Sequence, residues 1–268
     1  MQLERLTVPT ILLTNDDGIQ SIGLIALKKR LENLGNVIVV APRDERSGIG
    51  KALTTNHIKI METRLRDGSK AYATTGTPAD AFFLAANKIL KRMPNLLVAG
   101  INLGPNLGID DLLNSGTLGA ALEAAIHQVP AISVSYCMPK MTDLTDKKKV
   151  TVEELELTAT IAFKAAEYVL ENGMPPDVDI ISINVPEKAD SKRIKITSLS
   201  YKGYDDIYAK QRGGYRITDW SLAGYPDDEP GTDLHVVKEE RCISVTPIKV
   251  RLLHSKRGLE GLLKAVSA

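Results

Sequence analysis

The chain is short of several things, and each shortage removes a class of protein. Its two cysteines, Cys137 and Cys242 among 268 residues, are too few for a disulfide framework, and neither stands in a Cys/His set with zinc-ligand spacing. Charge of one sign is lacking too. With 34 basic and 33 acidic side chains the net charge is +1, which argues against a nucleic-acid duplex or a membrane surface as the main partner. No apolar run approaches the ~20 residues that a membrane span requires, and no charged-then-apolar leader opens the chain, so the cytoplasm is the expected location. Internal repeats and low-complexity tracts are absent. What is present is length enough to bury a substantial core in one large domain.

The stretch Thr10-Ile-Leu-Leu-Thr-Asn-Asp-Asp-Gly-Ile19 opens as a strand buried on both faces, the mark of a parallel sheet covered by helices. Its character then changes at once, and Gly18 gives the backbone freedom to turn toward a helix. In open α/β sheets the ligand crevice lies beyond the carboxyl ends of the strands, so Asp16 and Asp17 are expected at its mouth. Adjacent carboxylates repel unless a cation or a shared proton intervenes, and a hard divalent ion, Mg²⁺ or Mn²⁺, suits such oxygens. An acidic turn that merely caps the next helix is the bland alternative.

Leu24, Leu27, Leu31 and Leu34 then fall at helical spacing up to Gly35, and Val37 to Ala41 reads as a second buried strand, completing a βαβ unit. The polar, glycine-bearing loop from Pro42 to Gly50 carries Ser47, whose hydroxyl oxygen can serve a cation or a phosphate. His57 to Glu62 and Ala71 to Thr75 read as a hairpin about Gly68-Ser69. Thr77, Pro78 and Asp80 make a helix start by capping alone, which leaves them no catalytic role; that helix is expected to reach Leu90. The third buried strand, Leu96 to Gly100, leads into Ile101-Asn-Leu-Gly-Pro-Asn-Leu-Gly108. Here Asn102 can offer a carbonyl oxygen to a metal and Asn106 can donate amide hydrogens to an anion. Ser115, Gly116 and Thr117 open an alanine-rich helix, where free N–H groups and two hydroxyls would cradle an anion; capping by Ser115 is a compatible reading. Ala131 to Ser135 and Ile180 to Asn184 read as further strands, separated by a helix that a Thr151/Glu154 capping box opens.

From Ile194 the alternation stops. Short β-like pieces gather five of the eight tyrosines (Tyr201, Tyr204, Tyr208, Tyr215, Tyr225) beside the single tryptophan, Trp220, a composition that suits an interface or a surface that stacks on a base. Ile243 to Pro247 reads as one more strand, and Leu259 to Val266 as a closing helix. The expected fold is a three-layer, doubly wound α/β domain over 1–268 with a mainly parallel, Rossmann-like sheet. It divides into a metal-bearing core over 1–193, a β-rich extension used in oligomerisation over 194–247 and a C-terminal helix over 248–268.

Hard oxygens from three strand-end loops beside an anion cradle describe metal-assisted hydrolysis of a phosphate ester. At this point whole segments resemble the SurE family of survival-protein nucleotidases: Thr14-Asn-Asp-Asp-Gly-Ile19, Val40-Ala-Pro with Arg46-Ser-Gly48, Thr75-Gly-Thr-Pro-Ala-Asp80, Gly100 to Gly108, Ser115-Gly-Thr117, Gly231-Thr-Asp233 and Ser244-Val-Thr-Pro247. The resemblance implies a divalent-metal-dependent phosphatase acting on nucleoside 5′- and 3′-monophosphates, a hydrolase of the 5′-nucleotidase or acid-phosphatase type. Carried over by position, Asp16, Asp17, Ser47 and Asn102 would hold one Mg²⁺ or Mn²⁺ per subunit, with Asp16 and Asp17 catalytic. Asn106, Ser115, Gly116 and Thr117 would surround the phosphate. The family also implies homodimers or homotetramers that exchange a C-terminal segment. Asn114 departs from the aromatic residue that the family often carries there, which bears on the pocket wall.

Two rival enzymes fit less well. A haloacid-dehalogenase-type phosphatase needs Asp-x-Asp after its first strand, and a Rossmann dehydrogenase needs a Gly-x-Gly-x-x-Gly turn there. A nucleotide-binding sensor with the same fold and no turnover is the alternative from a different class. None of His57, His127, His235 and His254 lies in a motif, so the sequence names no general base.

Overall fold

The computed structural model describes residues 8–138, 149–204, 206–217, 222–250 and 265. At its centre β1 (Thr10–Thr14) lies between β2 (Asn36–Pro42) and β5 (Leu96–Leu103), parallel to both. Beyond β2 come β4 (Lys70–Thr74), parallel, and β3 (Ile60–Arg64), antiparallel to β4 as the expected hairpin. On the other flank β6 (Ala131–Cys137) and β7 (Ile180–Pro186) continue the parallel set. β11 (Ile243–Ile248) then runs antiparallel to β7, and the short β8 (Ile194–Ile196) closes that edge. The expected α/β sheet, mainly parallel and covered on both faces, is therefore what the chain forms.

Alternation along a strand sends neighbouring side chains to opposite faces, and both faces are apolar because helices cover both. Ile11 and Leu13 of β1 pack beneath α1 (Ile22–Leu31) and α5 (Glu156–Asn172), whereas Leu12 packs beneath α2 (Pro78–Leu84) and α4 (Gly116–Ile126). Helix α1 approaches β5 so closely that a Cβ on Gly23 would stand 2.2 Å from the Ile101 carbonyl oxygen. The Thr77/Asp80 box forms as expected, with Asp80 also accepting from the Thr54 hydroxyl at 2.6 Å. Capping thus accounts for all three residues at this helix start.

Four boundaries differ from the sequence expectations. α1 ends at Leu31, four residues before Gly35, and the chain turns there so that Gly35 can pass against the Pro9 carbonyl, 2.3 Å from where a Cβ would sit. α2 ends at Leu84 and continues to Leu90 as a π-helical turn. The Thr151/Glu154 reciprocal bonds exist, at 2.7 and 3.4 Å, but they close a turn that precedes α5. Finally, β5 does not stop at Gly100. A bulge between Ala99 and Asn102, with Gly100 at φ +138°, lets the strand resume and pair Asn102 with Ser135. A side chain at Gly100 would meet the Val134 carbonyl oxygen at 2.3 Å, so glycine is required where β5 and β6 close up.

After β8 the chain forms a separate two-stranded hairpin, β9 (Tyr208–Gln211) and β10 (Gly214–Ile217), then the short helix α6 (Asp233–Lys238). Of the five tyrosines expected at an interface or a stacking surface, Tyr201, Tyr208 and Tyr215 are exposed, but Tyr204 and Tyr225 turn inward. Trp220, His254 and, apart from Ala265, the helix expected over 259–266 lie outside the described residues.

Candidate active site

From β1 the chain winds outward to β2 and β4 and then returns to β5 on the other side of β1. The carboxyl ends of β1 and β5 therefore flank the point where strand order reverses, which is where open α/β sheets hold ligands. Asp17 bridges that point: its Oδ2 accepts the Leu103 N–H at 2.9 Å. Asp16, only 3 % exposed, accepts the Thr117 hydroxyl on Oδ1 at 2.6 Å, and its backbone carbonyl accepts the Arg46 N–H at 2.7 Å. Asp16 and Asp17 thus tie the end of β1 to β5, to the loop after β2 and to the start of α4. Gly116 makes the approach possible, since a Cβ there would lie 2.8 Å from the Asp16 Cβ and 3.0 Å from its Oδ2.

The cleft at this edge encloses about 390 Å³, open solvent included, and is lined by Asp16, Ser47, Gly48, Asn102, Leu103, Gly104, Pro105, Asn106, Asp111 and Ser115. Of the eight expected site residues, five line it. Half-buried Asp17 and buried Gly116 and Thr117 are not among the lining residues. The Ser47 hydroxyl donates to Glu45 Oε1 at 2.7 Å, and the Asn102 amide donates to the Gly104 carbonyl at 2.9 Å. A hydroxyl or an amide offers a cation its oxygen, so both side chains have the atom that a hard ion takes. The Ser115 hydroxyl caps α4 by accepting from the Leu118 N–H at 3.2 Å, as its bland reading expects, while still lining the cleft. The Thr117 hydroxyl, expected to face a phosphate, is fully buried and committed to Asp16.

Four residues of this neighbourhood carried no individual role in the sequence reading: Ser135, Asn184, Asp111 and Asp233. The Asn106 amide donates to the Ser135 hydroxyl at 2.9 Å, and its backbone is held reciprocally by Asn184, which accepts from the N–H at 3.0 Å and donates to the carbonyl at 2.9 Å. Asp111 accepts the Leu107 N–H at 2.7 Å, and Asp233 accepts the Gly108 N–H at 2.9 Å. Burial pushes the Asp111 carboxyl up to about 7, and burial raises Asp233 as well. A polar residue at the carboxyl end of an apolar strand was the available signal for Asn184, the same signal that marks Asn15.

The description "Survival protein SurE" belongs to the family model that matches residues 11–206, a span containing every residue that lines the cleft. The chain belongs to the SurE family. A protein named 5′-nucleotidase SurE from Methanothermobacter thermautotrophicus is 41 % identical over 203 residues, 75 % of this chain and 77 % of the relative. Another of that name, from Methanosarcina acetivorans, is 36 % identical over 251 residues, covering 92 % of this chain and 94 % of the relative. The crystal structure of the SurE protein from Aquifex aeolicus superposes with a TM-score of 0.72 at 30 % identity, spanning 97 % of this chain and all of that one.

For a SurE protein, a hard divalent ion suits the donors of this cleft. Among the described residues no group of three or more His, Cys, Asp or Glu gathers as a metal site. The donors that the cleft does offer are carboxylate, hydroxyl and amide oxygens, the kind that a hard divalent ion takes.

Proposed function

We propose that this protein is a divalent-metal-dependent phosphomonoesterase that hydrolyses nucleoside 5′- and 3′-monophosphates to nucleoside and phosphate. The observation that carries the reading is the pair of bonds that aims both β1 aspartates, Asp17 to the Leu103 N–H and Asp16 to the Thr117 hydroxyl, at the point where strand order reverses. The names of the relatives, 5′-nucleotidase SurE, support the substrate class. In this reading Asp16, Asp17, Ser47 and Asn102 hold one ion. Bound there, a divalent ion polarises phosphate oxygens and generates a nucleophile from water near neutral pH. Asn106, Ser115 and the first N–H groups of α4, those of Gly116 and Thr117, orient the phosphate. Asn106 has a second amide hydrogen beyond the one given to Ser135.

Phosphate release from a panel of esters, with Mg²⁺, Mn²⁺ or EDTA, tests this. Nucleoside monophosphates should be cleaved only with metal, and Asp17→Asn, which removes a charge from the site, should lose at least about 100-fold. Near-wild-type release by metal-stripped Asp17→Asn would sink the metal reading. Nucleotide binding without any release would make the protein a sensor.

The same reading includes a homodimer or homotetramer. Tyr201, Tyr208 and Tyr215, with Ile196 at 84 % exposure on the edge strand β8, present the kind of rings and apolar surface that interfaces bury.

A further inference from the structure

The loop from Gly104 to Gly108 begins and ends on glycines at positive φ, +143° and +69°. The glycines let the chain enter and leave the loop in conformations other residues rarely adopt, and the contacts of the three residues that follow Pro105 hold the segment in place. The N–H groups of Asn106, Leu107 and Gly108 go to side chains of three different elements: Asn184 at the end of β7, Asp111 in α3 (Gly108–Asn114) and Asp233 in α6. Among these holders Asp111 has a second set of partners. Its Oδ1 accepts from the Tyr204 hydroxyl, and its Oδ2 accepts from the Tyr225 hydroxyl as well as from the Leu107 N–H.

The two tyrosines bracket the β9–β10 hairpin in sequence, one before it and one after. Their rings stand 5.0 Å apart and their hydroxyls 3.0 Å apart. Among the described residues the hairpin pairs with no strand of the main sheet, so its base is secured elsewhere. Ser200 accepts from the Ile109 N–H at 2.8 Å, and the Tyr204 N–H donates to Asp110 at 2.7 Å, which places that base directly on α3. Entry and exit of the hairpin thus converge on the carboxylate that holds the cleft loop.

Building on the phosphatase reading, we propose that Asp111, Tyr204 and Tyr225 form a positioning device for the reaction: they set where the Asn106–Gly108 backbone stands in the cleft and tie that position to the base of the hairpin. Leu107 is 1 % exposed, so without Asp111 its N–H loses a buried acceptor and the loop must shift to find another. The displaced group is then Asn106, and phosphate affinity falls before chemistry does. Whatever the hairpin packs against reaches the phosphate site through these three side chains.

The test uses the full chain with 5′-AMP and Mn²⁺, together with calorimetric titration of orthophosphate. In the double variant Tyr204→Phe/Tyr225→Phe both rings remain and only the hydroxyls go. Its KM and its phosphate Kd should rise five- to twentyfold, with kcat within threefold and the Mn²⁺ activation constant unchanged. Asp111→Ala should lose more than tenfold in the same constants. Asp111→Asn should return to within threefold of wild type, because an amide oxygen accepts from Leu107 while the amide hydrogens can donate to a tyrosine oxygen. If Asp111→Ala does not fold, the phenylalanine variants decide the matter. A purely stabilising role would lower the melting temperature and leave KM and Kd within twofold, and that result overturns the proposal. So does failure of asparagine to restore the constants lost with alanine. A wild-type protein that neither binds orthophosphate nor releases it overturns the phosphatase reading and this proposal with it, an outcome distinct from an active enzyme whose variants keep wild-type constants.

Discussion

Asp16 is more heavily supported than a surface carboxylate needs to be, and one of its supports is the Thr117 hydroxyl at 2.6 Å. A hydrogen bond to a charged group contributes roughly 1.5 to 3 kcal/mol. Thr117→Ala should therefore weaken Mn²⁺ binding about tenfold and lower kcat/KM by at least as much, measured by calorimetry and by phosphate release. Ser47→Ala should be milder, because the side chain is exposed and a water can replace a neutral oxygen. Equal losses in the two variants would mean that Ser47 is held in place as firmly as Asp16. The sequence reading assigned the Thr117 hydroxyl to phosphate, because composition at a helix start suggests an anion cradle. Its partner lies 101 positions away in the chain, and only folding makes that bond visible.

Among the described elements, the hairpin stands apart from the main sheet and pairs only with itself. Its exposed rings, Tyr208 at 56 % and Tyr215 at 72 %, are separate from the inward pair at its base. Replacing 207–217 with a short glycine linker therefore removes the exposed surface while leaving Tyr204 and Tyr225 in place. The expected product is a folded, smaller assembly by size-exclusion chromatography with light scattering. An unchanged assembly with altered preference among nucleotide bases would place the hairpin at the substrate instead. Periodicity and caps made most of the helices and strands legible in advance, because those signals lie within a few residues of each other. The bulge that extends β5 to Leu103 was not legible, since it depends on how Gly100 meets the Val134 carbonyl of a neighbouring strand.

Over the whole molecule, the buried carboxyls near the cleft govern how stability depends on pH. Asp111 titrates near 7 and Asp233 above its ordinary value, both because burial disfavours the charged form, while the unfolded chain releases these protons near 3.8. A raised pKa favours the folded state at low pH, and that contribution is lost as pH climbs through the folded value. For Asp111 the displacement corresponds to a contribution on the order of 4 kcal/mol. The facing groups do not oppose it between pH 5.5 and 8.5: burial pushes the Tyr225 hydroxyl and the Cys137 thiol upward, so both stay neutral. The carboxylates held low by neighbours, such as Asp44, Asp227 and Glu240, titrate well below that window. Urea denaturation should thus show the wild type losing stability from pH 5.5 to 8.5, with Asp111→Asn losing distinctly less. Parallel pH profiles for the two proteins would show that Asp111 is not the group responsible.

The sequence by itself determined the class of fold, the βα alternation, the two aspartates after the first strand and the family, because each is written in short-range order: apolar runs, glycine turns and motifs a few residues long. It also marked Ser47, Asn102, Asn106 and Ser115, which do line one cleft. Only the tertiary structure decided which of the expected groups face that cleft and which brace it, that Asp17 reaches the Leu103 N–H and Thr117 reaches Asp16, and that two tyrosines of the late aromatic stretch turn inward to Asp111. These bonds join residues about 86 to 114 positions apart. Nothing in a local pattern specifies such pairs; they exist because winding outward and back across β1 brings separate loops to one edge of the sheet, where buried polar groups must find partners.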